Sequence, residues 1–287
     1  MKILVIGHSI IDHLENKADA SPGGVYYSTL GFLSCFKPND RLTLLTGTNS
    51  TGFELFEPIY KQIDLSLSED VLEMPEVFLQ TSGESERREV YKNIAENLSL
   101  AKLENLSQFD GILINMITGF DISLTQLKWL RENYSGLIYL DVHTLSRGLD
   151  EEGKREFRQI PNIEKWLSCV DILQCNDSEL KTICDTQTEE GFAYWVLEQG
   201  IKLLIITKAE NGAVVYFNNK SGLDFLKING EKIVVKNTIG CGDIFGATFF
   251  YSYIRTHDCK HSLEFANHAG AAAASTIDLF NCVRLSL

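Results

Sequence analysis

Asp243 closes the heptapeptide Asn237-Thr238-Ile239-Gly240-Cys241-Gly242-Asp243, and Ile244-Phe245-Gly246-Ala247-Thr248-Phe249-Phe250 follows it. Two glycines let a backbone turn tightly and aim successive N–H groups at one point. The apolar spacing after Asp243 predicts a helix, whose first turn adds about half a positive charge at the same place. Such a place suits an anion. A carboxylate beside it, with no lysine in the heptapeptide to neutralise it, has the chemistry of a base that takes a proton from a hydroxyl attacking a phosphoryl group. The same residues also fit a plain turn followed by an aspartate helix cap, so the rest of the chain has to decide.

The elements around this loop are legible as a series. Lys232-Ile-Val-Val-Lys236 before it reads as a short strand. Lys2-Ile-Leu-Val-Ile-Gly7 is a continuous apolar run, the pattern of a strand buried in a parallel sheet. Functional groups in such sheets sit past the carboxyl ends of strands, where His8-Ser-Ile-Ile-Asp12-His13 falls. Ser21-Pro-Gly23-Gly24-Val-Tyr-Tyr-Ser28 opens a helix reaching about Phe36, and Arg41–Thr46 reads as a second strand. Gly111–Asn115, a helix over 123–133 and Leu137–Asp141 form a strand–helix–strand unit of the kind that joins parallel strands. Val170–Gln174 leads to Asn176-Asp-Ser-Glu179 and a helix. Lys202–Thr207 and Gly212–Phe217 frame Lys208-Ala-Glu-Asn211. Val77–Thr81 and Arg87–Lys92 about Ser82-Gly83-Glu84 predict a β-hairpin. Leu263–Ala274 is a helix of small residues around Asn267.

Composition narrows the function classes. The chain has 287 residues, 44% hydrophobic and 23% charged, enough for one large α/β domain over 1–287. A formal net charge of −13 argues against nucleic acid or an anionic membrane as partner, because those need clustered Lys and Arg. No apolar run approaches a membrane span. Seven cysteines without paired spacing point to free thiols and a reducing cytoplasm.

The heptapeptide resembles the Asp-Thr-x-Gly-Ala-Gly-Asp signature of the ribokinase-like (PfkB) carbohydrate kinases, with Asn237 and Cys241 as departures, and the resemblance runs along nearly the whole chain. It implies a three-layer α/β/α fold with a mainly parallel central sheet and a small β lid contributed by segments of about 12–22 and 72–94. It implies an ATP-dependent phosphotransferase acting on a hydroxyl of a small sugar, inositol-like polyol or nucleoside. Asp243 would then be the base, and Gly240, Cys241 and Gly242 the anion hole. Asp12, Gly23, Gly24 and Ser28 would contact the substrate, Ser28 standing where many members carry asparagine. Asn176 and Glu179 match the family's Asn-x-x-Glu, with Glu179 reaching Mg²⁺ through water. Thr207, Gly212 and Asn267 would line the nucleotide; Ala209 replaces a glycine of that segment. Asn267 equally fits close helix packing. A monovalent cation such as K⁺ and a homodimer through the lid edge complete what the resemblance implies.

Other readings compete at particular residues. A sugar or nucleotide sensor on the same fold would need no base. A dinucleotide oxidoreductase would need a third glycine where Phe245 stands. Gly148-Leu-Asp-Glu-Glu-Gly153-Lys154 has the spacing of a phosphate-binding P-loop, but Arg155 follows instead of Ser or Thr and three acids would repel phosphate, which predicts a charged surface loop. Paired Arg87 and Arg88 read as solvent-facing. Cys241 reads either as a small residue tolerated in the loop or as a thiol activated by the helix N-terminus.

Overall fold

The computed structural model describes residues 1–15, 19–80 and 88–277. The first third of the chain comprises β1 (Lys2–Ile6), β2 (Ser9–Leu14), β3 (Ser21–Gly24), α1 (Val25–Cys35), β4 (Arg41–Leu45), β5 (Gly47–Thr48), α2 (Ser50–Tyr60), β6 (Glu69–Asp70), β7 (Glu76–Gln80) and β8 (Arg88–Lys92). Then come β9 (Gly111–Asn115), α3 (Leu124–Asn133), β10 (Leu137–Asp141), β11 (Arg147–Leu149), β12 (Arg155–Phe157), α4 (Ile163–Leu167), β13 (Ile172–Asn176) and α5 (Asp177–Ile183). The last stretch holds α6 (Glu189–Glu198), β14 (Leu203–Thr207), β15 (Ala213–Asn219), β16 (Gly222–Ile228), α7 (Cys241–Thr256) and α8 (Cys259–Ala274).

Eight strands form the central sheet in the order β16-β15-β14-β13-β10-β9-β1-β4. From β14 to β4 neighbouring strands are parallel, and β15 and β16 join antiparallel. All of β9 is buried, as its unbroken apolar run requires when both faces are covered. One face carries α1, α7 and α8 and the other α3, α4 and α6, each with its own apolar core, which makes the expected three layers. Small residues set the first of these layers: a Cβ on Gly31 of α1 would fall 2.9 Å from Ala247 Cβ of α7. That close approach fixes the N-terminus of α7 over the carboxyl ends of β9, β10 and β13.

A second sheet, β3-β2-β7-β8, stands off the end of the first. Its buried apolar residues join the core shared with α1, α7 and α8; β2 continues β1 past Gly7 and His8, while β7 and β8 form the hairpin expected from alternation. The Ser82-Gly83-Glu84 turn and Arg87 lie outside the described residues. The outer edge of β8 already has a neighbour, because Tyr91 N–H donates to Gly153 O at 2.9 Å and Val90 bridges to Lys154.

Two expectations need correction. Residues 232–236 are not a strand: none of the described residues pairs with them, Val234 and Val235 are exposed, and Lys236 N–H instead donates to Ala274 O at 2.8 Å. Ser21–Gly24 is a strand of the second sheet, so the helix begins only at Val25. The P-loop look-alike is the turn of the β11–β12 hairpin. Asp150, Glu151 and Glu152 are exposed there, as the charged surface loop requires, while Arg155 behind it is buried, with the guanidinium 4.3 Å from the Tyr91 ring and Nη2 donating to Thr118 O.

Candidate active site

Gly240 caps α7 at φ 76°, a left-handed conformation. A Cβ there would also lie 2.3 Å from the Tyr27 ring, so the position takes glycine on two counts. Gly242 has a different use. It is helical, and a Cβ would meet nothing within 4 Å, so open space lies above its backbone. Asn237, the departure from the family aspartate, holds the loop from both ends: its Oδ1 accepts from Ile239 N–H at 3.0 Å and its Nδ2 donates to Ile239 O at 2.8 Å. Cys241 is the small residue of the two readings. Burial pushes its thiol pKa up to about 11, with the Asp243 charge adding, so it stays protonated at neutral pH.

Asp243 sits in the first turn of α7, 9% exposed. Its Oδ1 accepts from Asn115 Nδ2 at 2.5 Å, and the same amide nitrogen donates to Ser28 Oγ at 3.0 Å. Asn115 ends β9 and is fully buried. Sequence reasoning gave it no role, although a polar residue ending an apolar strand at the sheet's carboxyl edge was a usable signal. Ser28 is 1% exposed and lies behind Asp243, reaching the carboxylate through Asn115.

Asp243 borders two cavities. The first lies under the second sheet, between Asp12, Gly24, Glu89 and Tyr91 on one side and Ile117, His143, Ile239 and Gly240 on the other. The second, about 170 Å³, lies at the ends of β10, β13 and β14, among Asp141, Gln174, Asn176, Glu179, Thr207 and Gly242. His143, Gly240 and Asp243 line both. Asp12 therefore faces Asp243 across the first cavity, and Asn176, Glu179 and Thr207 face it across the second. Gly23 allows the β2–β3 pairing, since its Cβ would collide with the Asp12 carboxylate at 2.3 Å.

Gly212 and Asn267 line neither cavity. Gly212 (φ 88°) turns the chain between β14 and β15, and Asn267 Nδ2 donates to Asn229 O at 3.2 Å, bracing the irregular segment that leads to Asp243. Ala209 occupies a left-handed conformation at φ 46°, the position where the family sequence has glycine.

Asn-x-x-Glu is a capping box at the start of α5. Asn176 Oδ1 accepts from the N–H groups of Ser178 and Glu179 at 2.9 and 3.0 Å, and Glu179 Oε2 accepts from Asn176 N–H at 3.0 Å. So Asn176 caps the helix, and the box presents Glu179 to the second cavity. Beneath it, Tyr139 donates to Gln174 Oε1 at 2.6 Å, while Gln174 Nε2 donates to Asp141 Oδ2 at 3.0 Å and Gly242 O at 3.2 Å.

Burial holds Asp141 well above the usual carboxylate range, and the charges of Asp243 and Glu179 push the same way. Glu179 is raised by burial too, against the pull of His143. Among the described residues no three His, Cys, Asp or Glu side chains converge to ligate one ion directly. Hard oxygen donors spread around a cavity this size fit Mg²⁺ that keeps its waters.

Residues 148–284 match the family model of the pfkB family carbohydrate kinases. The ribokinase fold extends over the whole chain. A pyrophosphate-dependent kinase in the ribokinase family, complexed with a pyrophosphate analogue and myo-inositol, superposes with TM-score 0.76 at 14% identity, over 95% of this chain and 94% of that one. Ribokinase from Thermotoga maritima gives 0.74 at 16% over 98% and 95%. Ribokinase of Arabidopsis thaliana, complexed with ribose and ATP, gives 0.73 at 15% over 99% of each. An ATP-dependent 6-phosphofructokinase of Thermoanaerobacterium thermosaccharolyticum is 29% identical over 102 residues, 36% of this chain and 30% of its own length. The chain thus matches less than a third of that curated relative. The resemblance to the ribokinase-like kinases holds in family profile for residues 148–284 and in fold throughout.

Proposed function

We propose that this protein transfers the terminal phosphoryl group of ATP to a hydroxyl of a small sugar, polyol or nucleoside. The carrying observation is that Asp243 stands at the junction of two cavities beside the N-terminus of α7. An acceptor in the cavity under the second sheet brings its hydroxyl to the carboxylate. A phosphate donor in the other reaches the same point from the opposite side.

Asn115 holds one oxygen of Asp243 and so turns the other to the acceptor hydroxyl, whose proton it takes. The N–H groups of Gly240, Cys241 and Gly242 at the end of α7 would face the charge that builds on the phosphoryl oxygens, a contribution worth about 3–4 kcal/mol per well-placed donor. Asp12 accepts from further hydroxyls of the acceptor. Glu179, fixed by its capping box, and Asp141 would hold Mg²⁺ through water, and the ion supplies charge neutralisation on the donor phosphates. That load also relieves the like-charge strain among Asp141, Glu179 and Asp243. Six free cysteines among the described residues accord with a reducing cytoplasm.

Product release from Mg·ATP and, in parallel, from Mg·pyrophosphate should be followed against sugars, polyols and nucleosides, with Asp243→Asn as control. Turnover with ATP that disappears in the control supports the reading. Turnover with pyrophosphate alone overturns the donor, and binding of donor and acceptor without turnover in either series overturns the chemistry.

A further inference from the structure

Among the described residues three line both cavities: His143, Gly240 and Asp243. Asp243 is the base of the reading above, and Gly240 offers only backbone. His143 is thus the one described side chain with an N–H group that borders the place where donor and acceptor would meet.

The backbone is bent to bring it there. His143 stands two residues past the end of β10 in a left-handed conformation at φ 36°. Glycine or asparagine would serve a bare turn at less cost. Bonds on either side hold the residue in that conformation. Val142 N–H donates to Gln174 O at 3.1 Å, Thr144 N–H to Met116 O at 2.9 Å, and Ser146 Oγ to His143 O at 2.6 Å. Strain that the surroundings enforce in this way gathers at functional positions.

The ring is oriented as well. Nδ1 lies 2.7 Å from Oγ1 of Thr144, itself 1% exposed. That contact leaves Nε2 without a hydrogen-bond partner among the described residues. With the Thr144 hydroxyl donating to Nδ1, the neutral ring carries its proton on Nε2.

We propose that His143 is a further catalytic residue, donating a hydrogen bond from Nε2 to a non-bridging oxygen of the phosphoryl group in transfer. The inference rests on the phosphotransferase reading above. The proton stays on Nε2 throughout. Asp243 takes the proton of the acceptor hydroxyl, a P–O bond forms to the acceptor oxygen, and the bond to the leaving ADP oxygen breaks. His143 stabilises the charge spread over the other phosphoryl oxygens.

The test separates binding of the transferring group from binding of the rest of the donor. The full chain is titrated calorimetrically with Mg·ADP, alone and with aluminium fluoride, which stands in for the phosphoryl group in transfer. Fluoride should tighten binding to the parent at least about tenfold, as a transition-state mimic does. His143→Met and His143→Gln introduce unbranched side chains of matching length, and only glutamine keeps a donor near the place of Nε2. His143→Met should lose about tenfold of the fluoride enhancement, while His143→Gln should keep it within about threefold. His143→Gly relieves the left-handed backbone, so it folds even where the longer side chains do not. It too should lose the enhancement. Mg·ADP alone should bind all three variants within about threefold of the parent, because the contact is made only to the group in transfer. Full enhancement in His143→Met or His143→Gly would overturn the proposal. So would equal losses in His143→Met and His143→Gln, the same loss with Mg·ADP alone, or a parent that fluoride does not tighten. A parent that binds no Mg·ADP would instead fail the ATP reading, and the proposal with it.

Discussion

The cavity at the strand ends takes Asn176, Glu179 and Gly240 from two helix N-termini, and their hydrogen bonds close within three residues. The cavity under the second sheet takes Asp12, Glu89 and Tyr91 from strands that meet only through tertiary pairing. The first is a charge-handling site with backbone donors on a fixed frame. The second is a shaped site whose ceiling is tied down by Arg155 against Tyr91 and by the Tyr91 hydroxyl donating to Ile117 O at 2.9 Å. On the proposed reading, local motifs make the phosphate side and fold-level register makes the acceptor side. Asp243 belongs to both.

That shared position gives the largest expected effect. Asp243→Asn keeps the volume and removes the base, so kcat should fall by about 10²–10⁴-fold, while acceptor and donor still bind. A loss of less than tenfold would mean that the two cavities do not meet in one reaction.

Asn115 sharpens the comparison, since it lines neither cavity and, on the proposed reading, acts through Asp243. Asn115→Leu deletes the donor to Asp243 Oδ1. The freed carboxylate loses its fixed orientation, so kcat should fall about tenfold, with acceptor KM little changed. An unchanged kcat, or a loss confined to acceptor KM, would remove Asn115 from the positioning of Asp243.

On the phosphate side, Gly240→Ala should cost about 1–2 kcal/mol for a left-handed L-residue, with more from the Tyr27 ring. Donor KM should rise more than acceptor KM, because the displaced N–H groups face the donor. Equal changes in the two KM values would count against the division of labour between the cavities.

This division also explains what was legible beforehand. The Gly240–Asp243 loop and the Asn176–Glu179 box could be read because their geometry is local: a glycine cap, a capping box and the helix that follows are written within a few residues. Asp12 was legible from its place after a buried strand. Asn115 was not, because its contact with Asp243 spans 128 residues. Glu89 was not, because alternation shows that a strand has two faces but not which one looks at a ligand. The strand expected at 232–236 failed for the same reason in reverse: Lys-Ile-Val-Val-Lys has the composition of a strand, yet a strand exists only where a neighbour offers its hydrogen bonds.

The raised carboxylates make a smaller, pH-dependent prediction. Burial lifts Asp141 and Glu179, so the folded chain keeps protons that the unfolded chain releases near pH 4. The unfolded state then binds fewer protons, and these groups' contribution to stability falls as pH rises from the unfolded value through the raised one. Asp141→Asn removes one such group. Between about pH 5 and pH 8 its melting midpoint should therefore drop less than that of the parent. An equal drop in both would show that Asp141 gives up its proton as readily as an exposed carboxylate.

The smallest effect belongs to Ala209, which turns the chain between β14 and β15 at φ 46°. An L-residue there pays about 1–2 kcal/mol, while glycine relieves that strain at an entropic cost of about 0.5–1 kcal/mol in the unfolded chain. Ala209→Gly should therefore stabilise by about 0.5 kcal/mol, a rise of about 1–2 °C in melting midpoint. Thr207, two residues earlier, lines the cavity at the strand ends, so a looser turn would be felt there and not under the second sheet. Donor KM should shift slightly and acceptor KM not at all. A shift confined to acceptor KM would place the 208–211 turn on the wrong side of Asp243, and the assignment of the two cavities would have to be reversed.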